Sequence, residues 1–239
     1  APEPWGSMYR AEDMPLRAPS MEPLSGKPPE YLDYLRGILN AETLGAGDFN
    51  RRDLTGQTDH QLRQMIATTL GMVAFVDHQV GRVLDELEQT GLAENTLLVF
   101  TSDHGDLMGD HRLVRKGPLL LEGLLRVPFV IAGPGVASRA GMCRGLCEHI
   151  DFFPTLLEML GIEAPRGVEG RSFAALLAGA ASSHRRRALV EMHHQYQLDR
   201  NVKALVKDRW KLIYWGGQDY GELYDLDDDP LETTNLWNA

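Results

Sequence analysis

The chain has 239 residues and a formal charge of −10, which allows one sizeable core, with or without a small appended subdomain. The acidic balance argues against nucleic-acid and anionic-membrane surfaces, and no apolar run approaches the ~20 residues that span a bilayer. The first residues lack the order of a signal peptide, so the compartment, cytoplasmic or periplasmic, stays open. The two cysteines, Cys143 and Cys147, have neither the number of a disulfide scaffold nor the spacing of a zinc site.

The N-terminal part combines a proline-rich arm with two helices. Seven of the thirteen prolines fall within residues 1–29, which predicts an extended arm that lies over another part of the protein. Helices are predicted over residues 29–40 and, from an apolar pattern at helical spacing, over residues 59–89. The ends of the longer helix are predicted from a Thr58–Gln61 capping box and from Gly91 as a left-handed stop.

Later elements alternate between strands and helices. Residues 96–101 contain a continuous apolar run, typical of a strand that is covered on both faces in a parallel sheet. A second strand is predicted over 128–132, and a helix over 151–160 with Asp151 as its cap and Gly161 as its stop. Alternating order implies an α/β layered domain. Four short strands are then predicted to form a small antiparallel subdomain: residues 188–193, 202–206, 210–215 and 222–226.

The loop after residue 101 is crowded with ionisable side chains. Ligands of open α/β sheets bind beyond the carboxyl ends of the strands, and Asp103 and His104 stand at such an end. These two residues could face one cation while Lys116 holds an anion beside it, which would suit metal-assisted attack on an anionic ester. The alternative is a capped turn that carries a surface histidine.

The motifs of this loop resemble those of the sulfatase family, within the alkaline-phosphatase-like superfamily. In order, the chain reads NTLLVFTSDHG at 95–105, GDH at 109–111, KGP at 116–118 and EGLLRVP at 122–128. Further similar stretches cover residues 68–84, 151–161 and 211–236, and the proline-rich start resembles a stretch found in the middle of these enzymes. The style of the motifs resembles the choline-sulfatase and phosphonate monoester hydrolase branches.

The resemblance implies the C-terminal part of an alkaline-phosphatase-like α/β sandwich, with a small antiparallel β subdomain at its C-terminal end. The expected division is residues 1–184 for the α/β part, including the arm at 1–29, and residues 185–239 for the subdomain. The chain is thus expected to be the C-terminal portion of a longer protein.

The resemblance also implies roles for individual residues. Asp103 and His104 match metal ligands of the family, and Lys116 matches the lysine that contacts the sulfate or phosphate oxygens. Because many members have asparagine where this chain has His104, and imidazole suits Mn²⁺ or Zn²⁺ better than Ca²⁺, the expected cation is Mn²⁺ or Ca²⁺, with Zn²⁺ as a further candidate. His111 is a second candidate for contact with the anion, or a histidine that braces the loop. His193 is a candidate for lining the substrate cleft, because it ends a predicted strand in which neighbouring side chains face opposite ways.

Other parts of the family's active site have no match. The nucleophile of the family is formylglycine, formed from a cysteine or serine in a C-x-P/A-x-R motif, and neither Cys143 nor Cys147 stands in that motif. Formylglycine is therefore expected in a preceding half. The predicted function is hydrolysis of sulfate esters, with a small anionic ester as the partner and a homo-oligomer left open. The alternatives are a phosphonate monoester or phosphodiester hydrolase, and an inactive fragment that only binds an anion or a protein.

Overall fold

The computed structural model describes residues 1–17, 24, 26–36, 55–117, 119–137, 141–193 and 201–238. The α-helices of these residues are α1 (Pro29–Leu35), α2 (Asp59–Gln89), α3 (Glu122–Leu125), α4 (Phe152–Met159) and α5 (Ala174–Leu177). The strands are β1 (Leu98–Thr101), β2 (Phe129–Ala132), β3 (Ala188–His193), β4 (Asn201–Lys207), β5 (Trp210–Trp215) and β6 (Gly221–Asp225). Short 3₁₀ turns occupy Ala11–Asp13, Ala93–Asn95, Asp110–Arg112 and His149–Asp151.

The long helix α2 has the bounds that its apolar periodicity predicts. Thr58 and Gln61 form the reciprocal capping box, in which the Gln61 main-chain N–H donates to Thr58 Oγ1 at 3.2 Å. Gly91 follows the helix in the left-handed conformation, with φ of 68°. Both end signals are therefore confirmed. No helix among the described residues is long and apolar enough to cross a membrane.

The N-terminal arm lies against α2. The Trp5 ring packs on Phe75 and His78, with ring centroids 5.0 Å apart in each pair. The Trp5 carbonyl oxygen would lie 2.3 Å from a Cβ atom at Gly71, so the close approach of the two backbones requires glycine there. Trp5 thus lies against α2, while the extended arm over residues 1–29 stays a prediction. Of the helix predicted over 29–40, the structure has α1, and residues 37–40 lie outside the described residues.

The strands β1 and β2 pair antiparallel, with Leu98 opposite Ala132 and Thr101 opposite Phe129. The predicted parallel arrangement is wrong for this pair. A parallel return to the same sheet is usually made by a crossover helix packed on the sheet, whereas the described residues between β1 and β2 form only a 3₁₀ turn and the four-residue α3. The described residues also leave one face of β1 uncovered, since Phe100 is exposed.

The prediction that the Asp151 side chain caps α4 is wrong. Asp151 stands at the N-cap position, but its side chain makes no capping hydrogen bond to α4. Its carboxylate is buried and instead accepts hydrogen bonds from Arg185 and from the main-chain N–H of Arg171, at 2.6 and 2.8 Å. The helix α4 otherwise matches the prediction over 151–160 within one residue at each end, and Gly161 follows it with φ of 68°.

The strands β3, β4, β5 and β6 form an antiparallel sheet in sequential order. All four strands predicted in this region are confirmed, with bounds shifted by at most one residue at each end. One face of the sheet contributes Val202, Ala204, Ile213, Trp215 and Tyr224 to the hydrophobic core. The division of the chain into parts at residue 185 remains a prediction.

The short helix α1 lies between this sheet and the polar loop. Its buried side chains Tyr31, Tyr34 and Leu35 share one core cluster with the sheet and with apolar residues of the loop. The loop residues of that cluster are Leu107, Leu113, Leu119, Leu120, Leu121 and Leu124. The core therefore lies directly beneath the loop that carries the ionisable side chains.

Candidate active site

The candidate site lies where β1 ends and the polar loop begins. Asp103 and His104 follow Thr101 by two and three residues, and the Asp103 side chain is 82% exposed while that of His104 is 40% exposed. Asp103 Oδ2 lies 3.5 Å from His104 Nε2. Both groups are accessible, as metal or substrate ligands must be.

Hydrogen bonds fix the orientation of His104. Its Nδ1 lies 2.8 Å from the Gly105 carbonyl oxygen, and because that oxygen can only accept, Nδ1 carries the proton. The Nε2 lone pair is then free and accepts from Lys116 Nζ at 2.8 Å. This tautomer is the one in which Nε2 can ligate a metal. Lys116 lies twelve residues further along the chain, and its ammonium group and the Asp103 carboxylate both approach Nε2 of His104.

The pKa of Asp103 is lowered, first by the hydrogen bond from the His104 main-chain N–H and also by the nearby positive charge of Lys116. The exposed carboxylate is therefore ionised at neutral pH. An ionised oxygen donor and an imidazole lone pair close together suit a divalent cation. Within the described part of the chain, no cluster of three or more histidine, cysteine, aspartate or glutamate side chains could hold a metal ion. The role of Asp103 and His104 as metal ligands therefore stays a prediction.

The turn at Gly105 is held by α3. The Gly105 main-chain N–H donates to the Leu124 carbonyl oxygen at 2.8 Å, and a Cβ atom at Gly105 would lie 2.0 Å from the Gly123 carbonyl oxygen. Only glycine permits this approach. In turn, buried Lys211 of β5 binds Glu122 at the start of α3, with Nζ 3.1 Å from Oε1. The small sheet thus fixes the backbone next to His104.

His111 lies apart from these groups. Its side chain is 2% exposed, and the residue has a left-handed φ of 56° that follows Gly109, also left-handed. Burial, together with the nearby positive charge of Lys27, lowers the pKa of His111 to about 4, so the ring is neutral at neutral pH. The structure does not bring His111 to the exposed side of the loop, and contact with the anion stays a prediction.

His193 also lies apart. It ends β3, and its Nδ1 lies 2.7 Å from Asn201 Oδ1 across the strand pair. Its side chain is exposed, and its Nε2 lies 4.0 Å from Glu191 Oε1. A role in lining the substrate cleft stays a prediction.

Two residues near the site were missed by sequence reasoning. His149 Nε2 lies 3.2 Å from Thr101 Oγ1, at the carboxyl end of β1. Tyr34 donates from its hydroxyl group to the main-chain carbonyl oxygen of Lys116 at 3.0 Å. Each contact joins residues at least 48 positions apart, so no spacing rule could find it.

Neither cysteine fits the nucleophile of a sulfatase. Cys143 is exposed and accepts a hydrogen bond from the Gly145 main-chain N–H at 3.4 Å. Burial raises the pKa of Cys147 to about 11. Neither cysteine stands in the C-x-P/A-x-R motif from which the family forms its nucleophile.

Comparisons with known proteins agree with the motifs. The family model "Sulfatase" matches residues 40–162, and "N-sulphoglucosamine sulphohydrolase, C-terminal" matches residues 109–239. The chain is 34% identical to the multifunctional alkaline phosphatase superfamily protein PehA of Trinickia caryophylli, over 99% of this chain and 48% of that protein. It is 33% identical to the choline-sulfatase of Rhizobium meliloti, over 75% of this chain and 34% of that protein.

A solved structure shows the same fold. The phosphonate monoester hydrolase of Silicibacter pomeroyi superposes with a TM-score of 0.81 at 27% identity, over 99% of this chain and 49% of that one. The chain therefore spans about half the length of PehA and of this hydrolase, and the expected α/β fold of alkaline-phosphatase-like type is confirmed. On these matches and on the motifs that surround Asp103, His104 and Lys116, the chain belongs to the sulfatase family.

Proposed function

We propose that the whole protein hydrolyses sulfate esters and that this chain supplies Asp103, His104 and Lys116 to its active site. The observation that carries the proposal is the convergence at His104 Nε2, which lies 2.8 Å from Lys116 Nζ and 3.5 Å from Asp103 Oδ2. A cation, an imidazole and a carboxylate at one exposed strand end suit the binding of an anionic ester.

The positive charge of Lys116 binds the oxygens of the ester. Its exposed ammonium group has three N–H donors and stabilises the negative charge that develops on the oxygens during bond cleavage. The net charge of the chain is −10, so attraction for an anionic substrate must be local to this loop. We therefore expect a small anionic ester as the substrate, and neither nucleic acid nor a membrane as a partner. Whether the protein is a homo-oligomer is left open.

Asp103 and His104 would hold the divalent cation that sulfatases generally use. When bound, the cation supplies Lewis-acid stabilisation of the reacting oxygens. The expected cation is Mn²⁺ or Ca²⁺, with Zn²⁺ as a further candidate, because imidazole suits Mn²⁺ and Zn²⁺ better than Ca²⁺. Members of the family also use formylglycine, which we place outside this chain because neither of its cysteines fits the role.

A second candidate function is hydrolysis of phosphonate monoesters or phosphodiesters. The structural likeness to the phosphonate monoester hydrolase of Silicibacter pomeroyi favours it. A lysine beside a divalent cation can bind a tetrahedral phosphorus centre as well as a sulfur centre, so the described residues fit both reactions. The two functions are separated by parallel kinetics on 4-nitrophenyl sulfate and on 4-nitrophenyl phenylphosphonate.

The test is mutation in the whole protein. Lys116→Ala and Asp103→Ala should each lower kcat/KM by about 10²- to 10³-fold, the effect of removing one group that stabilises transition-state charge. Lys207→Ala, at the far end of β4, is the matched control and should leave turnover unchanged. Unchanged turnover in both site variants would refute these roles, and a wild-type protein inactive on both substrates would favour the binding fragment.

A further inference from the structure

The segment that carries Lys116 has an unfavourable backbone conformation. Arg115, directly before Lys116, has a left-handed φ of 65°. A non-glycine residue in this region is strained and persists only where its surroundings enforce it. Something must therefore hold the backbone on both sides of Arg115, because the position of the Lys116 side chain depends on it.

Tyr34 of α1 provides that restraint by hydrogen bonding to the backbone of the loop. Its hydroxyl oxygen lies 2.7 Å from the carbonyl oxygen of Val114 and 3.0 Å from that of Lys116, so its single proton is shared between these two acceptors. These two carbonyl groups flank Arg115. The Tyr34 side chain is 1% exposed, so the hydrogen bonds form where water does not compete.

The Tyr34 ring also contacts the residue after Lys116. A Cβ atom at Gly117 would lie 2.7 Å from Cε2 of Tyr34, so the ring packs directly on the Gly117 backbone. Position 117 of the KGP motif therefore requires glycine because the ring of Tyr34, more than 80 positions away in sequence, leaves no room for a Cβ atom. Tyr34 thus touches the backbone of residues 114, 116 and 117.

Tyr34 is in turn attached to a fixed support. One turn earlier in α1, the Tyr31 hydroxyl group donates to buried Glu222 of β6 at 2.8 Å. The Tyr220 hydroxyl group donates to Glu30 Oε1 at 2.6 Å. The helix is therefore bound to the small sheet on one side, while Tyr34 reaches the loop on the other.

We infer that Tyr34 is a positioning residue that holds the Lys116 backbone so that the ammonium group meets His104 and the substrate. This inference rests on the proposed function of Lys116. Tyr34 does not itself touch the reacting atoms. Because a displacement of about 1 Å in a catalytic group can lower the rate by up to about 100-fold, release of this restraint should lower kcat.

The experiment compares Tyr34→Phe with Tyr214→Phe in the whole protein, on 4-nitrophenyl sulfate or 4-nitrophenyl phenylphosphonate, whichever the wild type hydrolyses. Each change removes one tyrosine hydroxyl group, but Tyr214 lies on the exposed face of β5. We expect Tyr34→Phe to lower kcat about tenfold with a smaller change in KM, and Tyr214→Phe to change kcat less than about twofold. Equal losses of kcat in the two variants would overturn the inference.

A double-mutant cycle tests whether Tyr34 acts through Lys116. In the Lys116→Ala background, Tyr34→Phe should change kcat by less than about twofold, because the group that it positions is gone. A full tenfold loss in that background would overturn the inference. If instead the wild type is active and Lys116→Ala alone has no effect, the proposed role of Lys116 fails, which is a different result.

A variant that keeps a hydrogen-bond donor at position 34 separates the loss of the hydrogen bonds from a failure to fold. With p-aminophenylalanine at position 34, the N–H groups can still reach the two carbonyl oxygens, and kcat should stay within about threefold of the wild type. A folded protein of this kind with a tenfold lower kcat would show that the hydrogen bonds do not position Lys116.

Discussion

The buried carboxylate of Asp151 offers the sharpest test of what holds the fold together. Its side chain is 0% exposed and that of Arg185 is 14% exposed. Arg185 Nε donates to Oδ2 at 2.6 Å, and Nη2 donates to Oδ1. His184 Nε2 lies 3.0 Å from Oδ2, and the main-chain N–H groups of Arg171 and Glu148 donate at 2.8 and 3.1 Å. Arg185 is the fixed positive charge of the group.

Arg185→Met keeps most of the side-chain volume and removes that charge. Loss of one partner from a buried ion pair costs about 3–5 kcal/mol, because the other charge stays buried and uncompensated. His184 and two main-chain N–H groups still bind Asp151, so we expect the lower end, about 3 kcal/mol. For a chain of this size, that corresponds to a decrease in Tm of about 6–12 °C.

The loss should depend on pH in a defined direction. Burial alone would raise the pKa of Asp151, but the hydrogen bonds from Arg185 and the main chain outweigh it and hold the pKa well below the ordinary value of 3.8. A lowered carboxyl pKa contributes stability above 3.8 that is lost as the pH falls through the folded-state pKa. In Arg185→Met, the hydrogen bonds from Arg185 that lower the pKa of Asp151 are gone. Burial therefore raises this pKa relative to the wild type. The destabilisation should therefore be full near neutral pH and decrease toward about pH 4.

Urea denaturation followed by circular dichroism measures the change, with Arg186→Met as the matched control. Arg186 is the exposed neighbour of Arg185, and its substitution should stay within about 0.5 kcal/mol of the wild type. A loss below about 1 kcal/mol for Arg185→Met would refute the account of Asp151 as an ionised buried partner. A loss that is the same near neutral pH and near about pH 4 would refute it as well.

Two further predictions concern the capping box and the thiols. Thr58→Ala should lower the free energy of unfolding by about 1 kcal/mol, because it leaves the Gln61 main-chain N–H at the start of α2 without its acceptor; an unchanged midpoint in thermal denaturation would contradict this. Iodoacetamide at mildly alkaline pH should modify exposed Cys143 before Cys147, whose burial raises its thiol pKa to about 11. Peptide mass spectrometry at successive times measures both rates, and equal rates would count against the burial of Cys147.

The elements that sequence reasoning found are those whose signals are local. The bounds of α2 follow from apolar side chains at helical spacing and from Thr58 and Gln61, which lie three positions apart. The strands of the small sheet were found because turn residues separate short runs of alternating or apolar pattern. Each of these signals acts within one turn of helix or one strand, so it can be recognised without knowledge of the fold.

The errors concern contacts between distant parts of the chain. The apolar run of β1 suits either parallel or antiparallel pairing, and the choice depends on what connects it to β2. Asp151 has the residue type and position of a helix cap, yet Arg185, 34 positions later, binds its carboxylate instead. A strong distant partner thus overrode a weaker local preference.

In the candidate site, too, the local features could be predicted from the sequence and the three-dimensional ones could not. Asp103, His104 and Lys116 lie on one loop, and the structure brings them into contact. His111 lies on the same loop but turns inward, because left-handed conformations from residue 108 onward redirect the chain. The sequence contains no signal for that reversal beyond Gly109, so the inward orientation of His111 could not be predicted.

The small sheet supports both halves of the candidate site along separate routes. Buried Lys211 binds Glu122 at the start of α3, and α3 packs on Gly105 beside His104. Glu222 binds α1 through Tyr31, and the same helix reaches the Lys116 loop through Tyr34. Because both routes begin on neighbouring strands, β5 and β6, a shift of the sheet would move His104 and Lys116 together. The 2.8 Å contact between His104 and Lys116 is thus fixed relative to one common base.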